Sequence, residues 1–306
     1  MAVNKMNKLL LLAAISFAGA ASSAPMVGLL EFPFTNTLKP ELMFFDSASP
    51  FPVVPPAQKI ILEGLSNGET LIGIDMRPLT GQLYGITNFG RVAKINLTTG
   101  FVTIISATQT TLVGTAFDID FNPVTDTISL ISDANINLRF SPDTGNLIST
   151  DTVLSPAGSK VGAAYDSNTP SANGTTLFVI DSIAGILGRQ GGVNGTPSPS
   201  GGMITEIGPL GISINKNVGF DISSSGLAVA SLQLSQAPAT GVYTINLANG
   251  AATILGSFSP ARQVKDIAFI SAFPSAVDVL AVPTLSNTSI ICLALLVVAA
   301  AFTQRR

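Results

Sequence analysis

The sequence predicts an all-β fold, a five-bladed β-propeller over about residues 26–273, and three observations carry that expectation. A module of four strand-like runs recurs: Asp75 and Asp120 stand 45 residues apart, each in an inner run followed by a turn and three further runs. That is the length of a four-stranded blade. A glycine recurs between the third and fourth runs, at Gly100, Gly145 and Gly250. It supplies the positive φ that a tight hairpin requires. Finally, the last copy stops after one run at 264–270, while three unclaimed runs (26–32, 42–46 and 59–62) precede the first full module. Pairing the two ends in one blade closes the ring and removes most exposed sheet edge. A six-bladed ring is the alternative if residues 26–66 form more than part of a blade.

Residues 1–24 run from Lys5 and Lys8 through an apolar stretch to small residues, the order of a secretory signal peptide. The first module places strands at 71–77, 82–88, 91–97 and 101–106. Its turn residues include Pro78 and Gly81. The second places them at 117–123, 128–132, 137–145 and 147–150. In the third, runs at 163–165, 176–181 and 203–208 are interrupted by a Gly/Pro/Ser-rich insertion at 189–202, read as a long surface loop. The fourth occupies 218–223, 227–232, 242–247 and 251–255. Beyond the ring, 274–288 reads as a linker with a Val282-Pro283-Thr284-Leu285 motif. Residues 289–303 read as a membrane helix, with Arg305 and Arg306 held on the cytoplasmic side.

Composition narrows the function classes. Lys+Arg number 15 against 18 Asp+Glu, and Lys5, Lys8, Arg305 and Arg306 all lie in the chain ends. The folded part is therefore acidic and lacks the basic footprint that nucleic acid requires. With no histidine and only Cys292, neither a Cys/His zinc site nor a histidine-based catalytic dyad can be assembled. An internal disulfide is excluded as well.

Two sets of polar residues are candidates for a site. Asp75, Asp120 and Asp221 occupy one position of the repeat, and Ala164 and Ala268 occupy it in the other copies. Carboxylates converging on a propeller axis could bind a cation. A position that accepts alanine reads first as a small inter-blade slot, so the expectation is a structural hydrogen-bonding role, with no metal and no cofactor. Asp118, Asp120, Asn122 and Asp126 mimic a calcium loop, but Pro123 stands where that loop needs glycine. The second set lies on the loops joining second to third strands and outer strands to the next blade: Asn88, Asp133, Asn135, Asn137, Asp181, Gln233 and Gln236. These polar, acceptor-rich loops suit a carbohydrate, peptide or envelope-protein ligand. The sequence thus predicts a non-catalytic binding or structural scaffold. The alternative is an extracytoplasmic glycosidase- or lactonase-like hydrolase using carboxylates of that face.

Two resemblances add to this reading. Residues 68–85, 114–123 and 219–222 carry motifs, in order and spacing, that resemble the domain of unknown function family 4394. The resemblance implies a secreted, propeller-like domain of mainly bacterial origin with no assigned activity. Residues 282–306 resemble the IPTL-CTERM sorting tails of bacterial surface proteins, with Val282 for the usual Ile and Asn287-Thr288-Ser289 in place of Glu-Trp-Gly. That tail implies an exosortase-like enzyme as partner and a destination in the cell envelope or at the cell surface.

Overall fold

The computed structural model describes residues 23–31, 39–49, 59–258 and 263–274. The expected leader, the Val282–Leu285 motif and the membrane helix therefore lie outside the described residues, apart from the last two leader positions and the first of the linker. Among the described residues no helix is long and apolar enough to cross a membrane.

Among the described residues, twenty strands form five antiparallel sheets of four. Blade one comprises β4 (Leu71–Arg77), β5 (Gln82–Thr87), β6 (Val92–Ile95) and β7 (Val102–Ile104). Blade two comprises β8 (Phe117–Asn122), β9 (Thr127–Ser132), β10 (Asn137–Phe140) and β11 (Leu147–Thr150). Blade three runs through β12 (Lys160–Tyr165), β13 (Leu177–Asp181), β14 (Ile186–Gln190) and β15 (Ile204–Pro209). Blade four runs through β16 (Ile214–Ile222), β17 (Ala228–Leu234), β18 (Thr240–Ile245) and β19 (Ala252–Ser257). The closing blade has the order β20-β1-β2-β3, where β20 is Gln263–Phe269, β1 Pro25–Glu31, β2 Glu41–Asp46 and β3 Lys59–Ile61. Val27 pairs with Ala268, so the chain ends complete one sheet as the incomplete repeat required. The ring has five blades, not six.

The core is distributed over the blade interfaces, one apolar cluster to each. Strand alternation makes this possible, because successive side chains leave a strand on opposite faces. Leu42 and Phe44 pack toward blade one, while Met43 and Phe45 of the same strand pack toward blade four. Both faces of such a strand are covered, which is why its sequence reads as a continuous apolar run.

The recurring turn glycines do more than permit the turn. Gly145 has φ 68°, and a Cβ there would lie 2.5 Å from the Ser106 backbone nitrogen on the preceding blade. Gly100 and Gly250 press in the same way on Ile61 and Gly208. In blade three the tight turn is replaced by the insertion, yet Gly202 (φ 71°) takes up the same position against Thr152 and Val153. The insertion is a surface loop as expected, but it begins later than its composition suggested and is fastened to the preceding blade. Arg189 and Gln190 belong to β14, which the interrupted periodicity concealed. The remainder docks on blade two: Thr152 N donates to Ser200 O at 3.1 Å and Ser155 N to Gly202 O at 2.9 Å. Replacing Gly81 by alanine, where φ is 64° but no atom lies within 4 Å, should cost about 1 kcal/mol in left-handed strain alone. Gly145→Ala adds a backbone clash and should lower Tm at least twice as far in parallel thermal melts.

Candidate functional site

Each inner strand is the edge of its own sheet, so its outward N–H groups face the neighbouring blade without a ladder partner. Buried backbone donors must nevertheless be satisfied. Aspartates on the adjacent inner strand meet this need. Asp75 Oδ2 accepts from Phe121 N at 2.7 Å, Asp118 Oδ2 from Ala163 N at 2.7 Å and Asp120 Oδ1 from Tyr165 N at 3.0 Å. Asp221 Oδ2 accepts from Phe269 N and Asp266 Oδ2 from Ile74 N, both at 2.6 Å. In four of the five, the second oxygen accepts the N–H of the next residue on its own strand, at Met76, Ile119, Ile222 and Ile267. Four of the five blade interfaces are clasped in this way.

The aspartates form two tiers along the axis. Asp75, Asp120 and Asp221 share one level with Ala164 and Ala268. Two residues earlier on each strand, and so on the same face, stand Gly73, Asp118, Gly162, Gly219 and Asp266. The second tier escaped the sequence reading, although the Asp118-x-Asp120 and Asp266-x-Ala268 spacing carried the signal. Between blades three and four no aspartate is available. There Gly162 lets the strands approach, its missing Cβ lying 3.0 Å from Val218 Cγ1, and Asn168 Nδ2 donates to Ile222 O at 2.8 Å.

All five carboxyls are buried, at 2% exposure or less. Burial raises every one of them above the ordinary carboxylate range, and like charges add to the effect: Asp221 acts on Asp75, Asp266 on Asp118, and Asp75 on Asp120. Asp221 is pushed up to about 7 by burial. Asp75, Asp120 and Asp221 bring one oxygen each within 4.8 Å of one another, a spacing a divalent cation could use. Five of their six oxygens accept backbone N–H groups, which makes the set a hydrogen-bonding clasp between blades. A cavity of about 380 Å³ reaches this tier from the ends of the inner strands, lined by Asp75, Arg77, Asn168, Asp221, Ser223 and Ser225 among others. Asn168 Oδ1, a buried acceptor with no protein partner, belongs to a residue of this lining.

The loop-face candidates lie at the opposite end of the axis, and most of them hold their own loops. Asn88 accepts from Thr70 N and donates to Gly68 O, both at 3.0 Å. Asp133 accepts from Thr115 N at 2.8 Å and pairs with Lys216 at 2.7 Å. Asn135, at φ 64°, accepts from Gly158 N at 3.1 Å. Buried Asn137 donates to Thr152 O and Pro199 O, fastening the insertion. Asp181 pairs with buried Lys160 at 3.0 Å and accepts from Ile183 N and Ala184 N. Gln233 donates to Ala237 O at 3.2 Å, and Gln236 is exposed. Burial opposes ionisation of Asp133, but Lys216 and Thr115 outweigh it and hold the carboxyl well below its usual range. For Asp181 the Ala184 N–H and Lys160 overcome burial in the same sense.

At the cavity end, Arg77 of β4 reaches across to blade two. Its Nε donates to Asp126 Oδ1 at 2.8 Å and its Nη1 to Asp143 Oδ1 at 2.7 Å, and the guanidinium stands 5.9 Å from the centre of the Tyr84 ring. The Asp126 hydrogen bond is the main reason its pKa is raised. Removing a buried charge from such a network costs far more than removing an exposed partner. Arg77→Ala should therefore destabilise by about 3 kcal/mol. Asp143→Ala, whose side chain is 70% exposed, should leave the denaturant midpoint nearly unchanged.

No curated protein matches this sequence. Among solved structures the chain is similar to one in a nidogen/laminin complex, at TM-score 0.50 and 11% identity over 81% of this chain and 98% of that one. It is also similar to a protein of unknown function from Bacteroides thetaiotaomicron (TM-score 0.45, 10% identity, 71% and 52% covered). A protein from Lactobacillus plantarum is a third (TM-score 0.41, 10% identity, 78% and 83% covered). At these identities the first likeness speaks for the fold alone. The model of one family matches residues 41–268, and by that match the chain belongs to the domain of unknown function family DUF4394.

Proposed function

We propose that this chain is an exported, envelope-anchored propeller that acts as a non-catalytic recognition or structural scaffold. The observation that carries the reading is the state of the acids on the loop face. Asp133 and Asp181 are each paired with a lysine and held in the ionised form. A glycosidase needs one carboxyl that keeps its proton near neutral pH so that it can act as general acid. Neither loop-face acid meets that requirement. The axial acids do hold protons more tightly, but they are buried and committed to backbone N–H groups. The same hydrogen bonds that disqualify the loop-face residues as catalysts fix their positions. A polar surface held rigid in this way binds a carbohydrate, peptide or envelope protein with little ordering cost. Anchoring rests on the 289–303 run and the 282–285 motif, with an exosortase-like enzyme as the partner for the tail.

The full-length chain, incubated with a panel of glycosides and lactones, should release no product. It should retain an intact ligand from a glycan and peptide array, and Gln236→Ala with Asn88→Ala should weaken that retention. Turnover of any panel member at a rate abolished by Asp133→Asn or Asp181→Asn would establish the hydrolase instead.

A further inference from the structure

We propose that Asp75, Asp120 and Asp221 form a calcium site on the propeller axis, with Asn168 as a further oxygen ligand and the adjoining cavity as the entry path. Each carboxyl comes from a different inner strand: β4 of blade one, β8 of blade two and β16 of blade four. One oxygen of each lies within 4.8 Å of the others. A calcium coordination sphere has that span, because its oxygens stand about 2.4 Å from the ion and up to twice that from one another.

The clasp and the site are compatible. A carboxylate oxygen carries two lone pairs, so one that accepts a backbone N–H can still ligate a cation. The N–H groups of Phe121, Tyr165 and Phe269 come from neighbouring strands and hold the three carboxyls in place. Oxygens fixed in this way cannot draw in to the octahedron of about 2.1 Å that magnesium demands. Calcium tolerates irregular shells of about six to eight oxygens. The two other slots of the tier hold Ala164 and Ala268, which contribute only a methyl group each.

Two oxygens point to a ligand for reasons separate from the clustering of acids. Asp120 is 1% exposed; its Oδ1 accepts from Tyr165 N, but its Oδ2 receives no hydrogen bond among the described residues. Asn168 Oδ1 is a buried acceptor without a donor. Its amide is held beside the tier, with Nδ2 donating to Ile222 O at 2.8 Å and standing 3.5 Å from Asp221 Oδ1. Buried acceptors need a donor or a cation. The one base in the cavity lining does not supply it: Arg77 gives its guanidinium to Asp126, Asp143 and the Tyr84 hydroxyl.

The cavity of about 380 Å³ completes the arrangement. Asp75, Asn168 and Asp221 all line it, so an ion entering from solvent can keep waters as its remaining ligands. Burial disfavours ionised carboxyls here, and repulsion adds to it, from Asp221 on Asp75 and from Asp75 on Asp120. A divalent ion offsets that repulsion and ties blades one, two and four together across the axis. The site lies at the opposite end from the loop face and does not depend on what that face binds.

Equilibrium dialysis and thermal melting of the full-length chain, first stripped with chelator and then given calcium chloride, test the proposal. One calcium per chain should bind with a Kd of about 1 mM or tighter. Tm in 5 mM calcium should exceed that in chelator by about five degrees, and magnesium should raise it less. Asp120→Asn keeps an acceptor for Tyr165 N while removing the charge, and should abolish the calcium-dependent shift. Asn168→Ala, at the cavity wall, should weaken binding several-fold and serves if the first variant does not fold. Failure to retain calcium, or a Tm that calcium leaves unchanged, would overturn the proposal. So would calcium binding that every folded variant retains in full, because the ion would then lie elsewhere on the acidic surface.

Discussion

Everything in this ring depends on one constraint: the inner strand of every blade is a sheet edge, and its N–H groups are buried. A solvent-exposed edge can be satisfied by water, but buried amides need an acceptor within the protein. The inter-blade aspartates resolve this at Ile74, Phe121, Ala163, Tyr165 and Phe269. Each accepts a neighbour's amide proton and so sets how far one blade is displaced against the next. The solution brings five carboxyls around one axis, and their mutual repulsion and burial then have to be offset. The glycines of the second tier and the raised proton affinities both follow from that first requirement.

The remaining packing can then be simple. Each interface has its own apolar cluster, and in blades one to four a glycine of the third-to-fourth connection presses on the preceding blade. Hydrogen-bonded clasps at the axis and glycine contacts at the rim hold the blades at both radii. The faces are thereby freed of structural duty except where loops must be held. At one end they carry the lysine-paired acids, and at the other the cavity beside Arg77 and Asn168.

Much of this was legible in the chain. The spacing of Asp75 and Asp120, the turn glycines and the unpaired runs at both ends lead directly to five blades and their closure. Local pattern and global fold agree wherever the module is intact. The reading failed where the module is broken or where two registers overlap. Strand β14 ends inside the 189–202 insertion, so composition outweighed its pattern. Asp118 and Asp266 were hidden because aligning the copies on Asp75, Asp120 and Asp221 placed a glycine opposite each of them in the other strands. Alternation along a strand puts both tiers on one face, a fact that a single-column alignment discards. The loop-face residues were located correctly in the chain, yet their hydrogen bonds to backbone groups up to about 60 residues away cannot be read from local sequence.

The claim that aspartate clasps hold the ring is tested most directly by native-state hydrogen exchange at Ile74, Phe121, Tyr165 and Phe269. Their amides donate to carboxylates of another blade and to no strand partner across that edge. If the clasps carry the fold, these amides exchange only through global unfolding, at the rate of central-strand amides such as Leu130. Exchange as fast as that of an exposed loop amide such as Gln236, with the rest of the sheets still protected, would contradict the account.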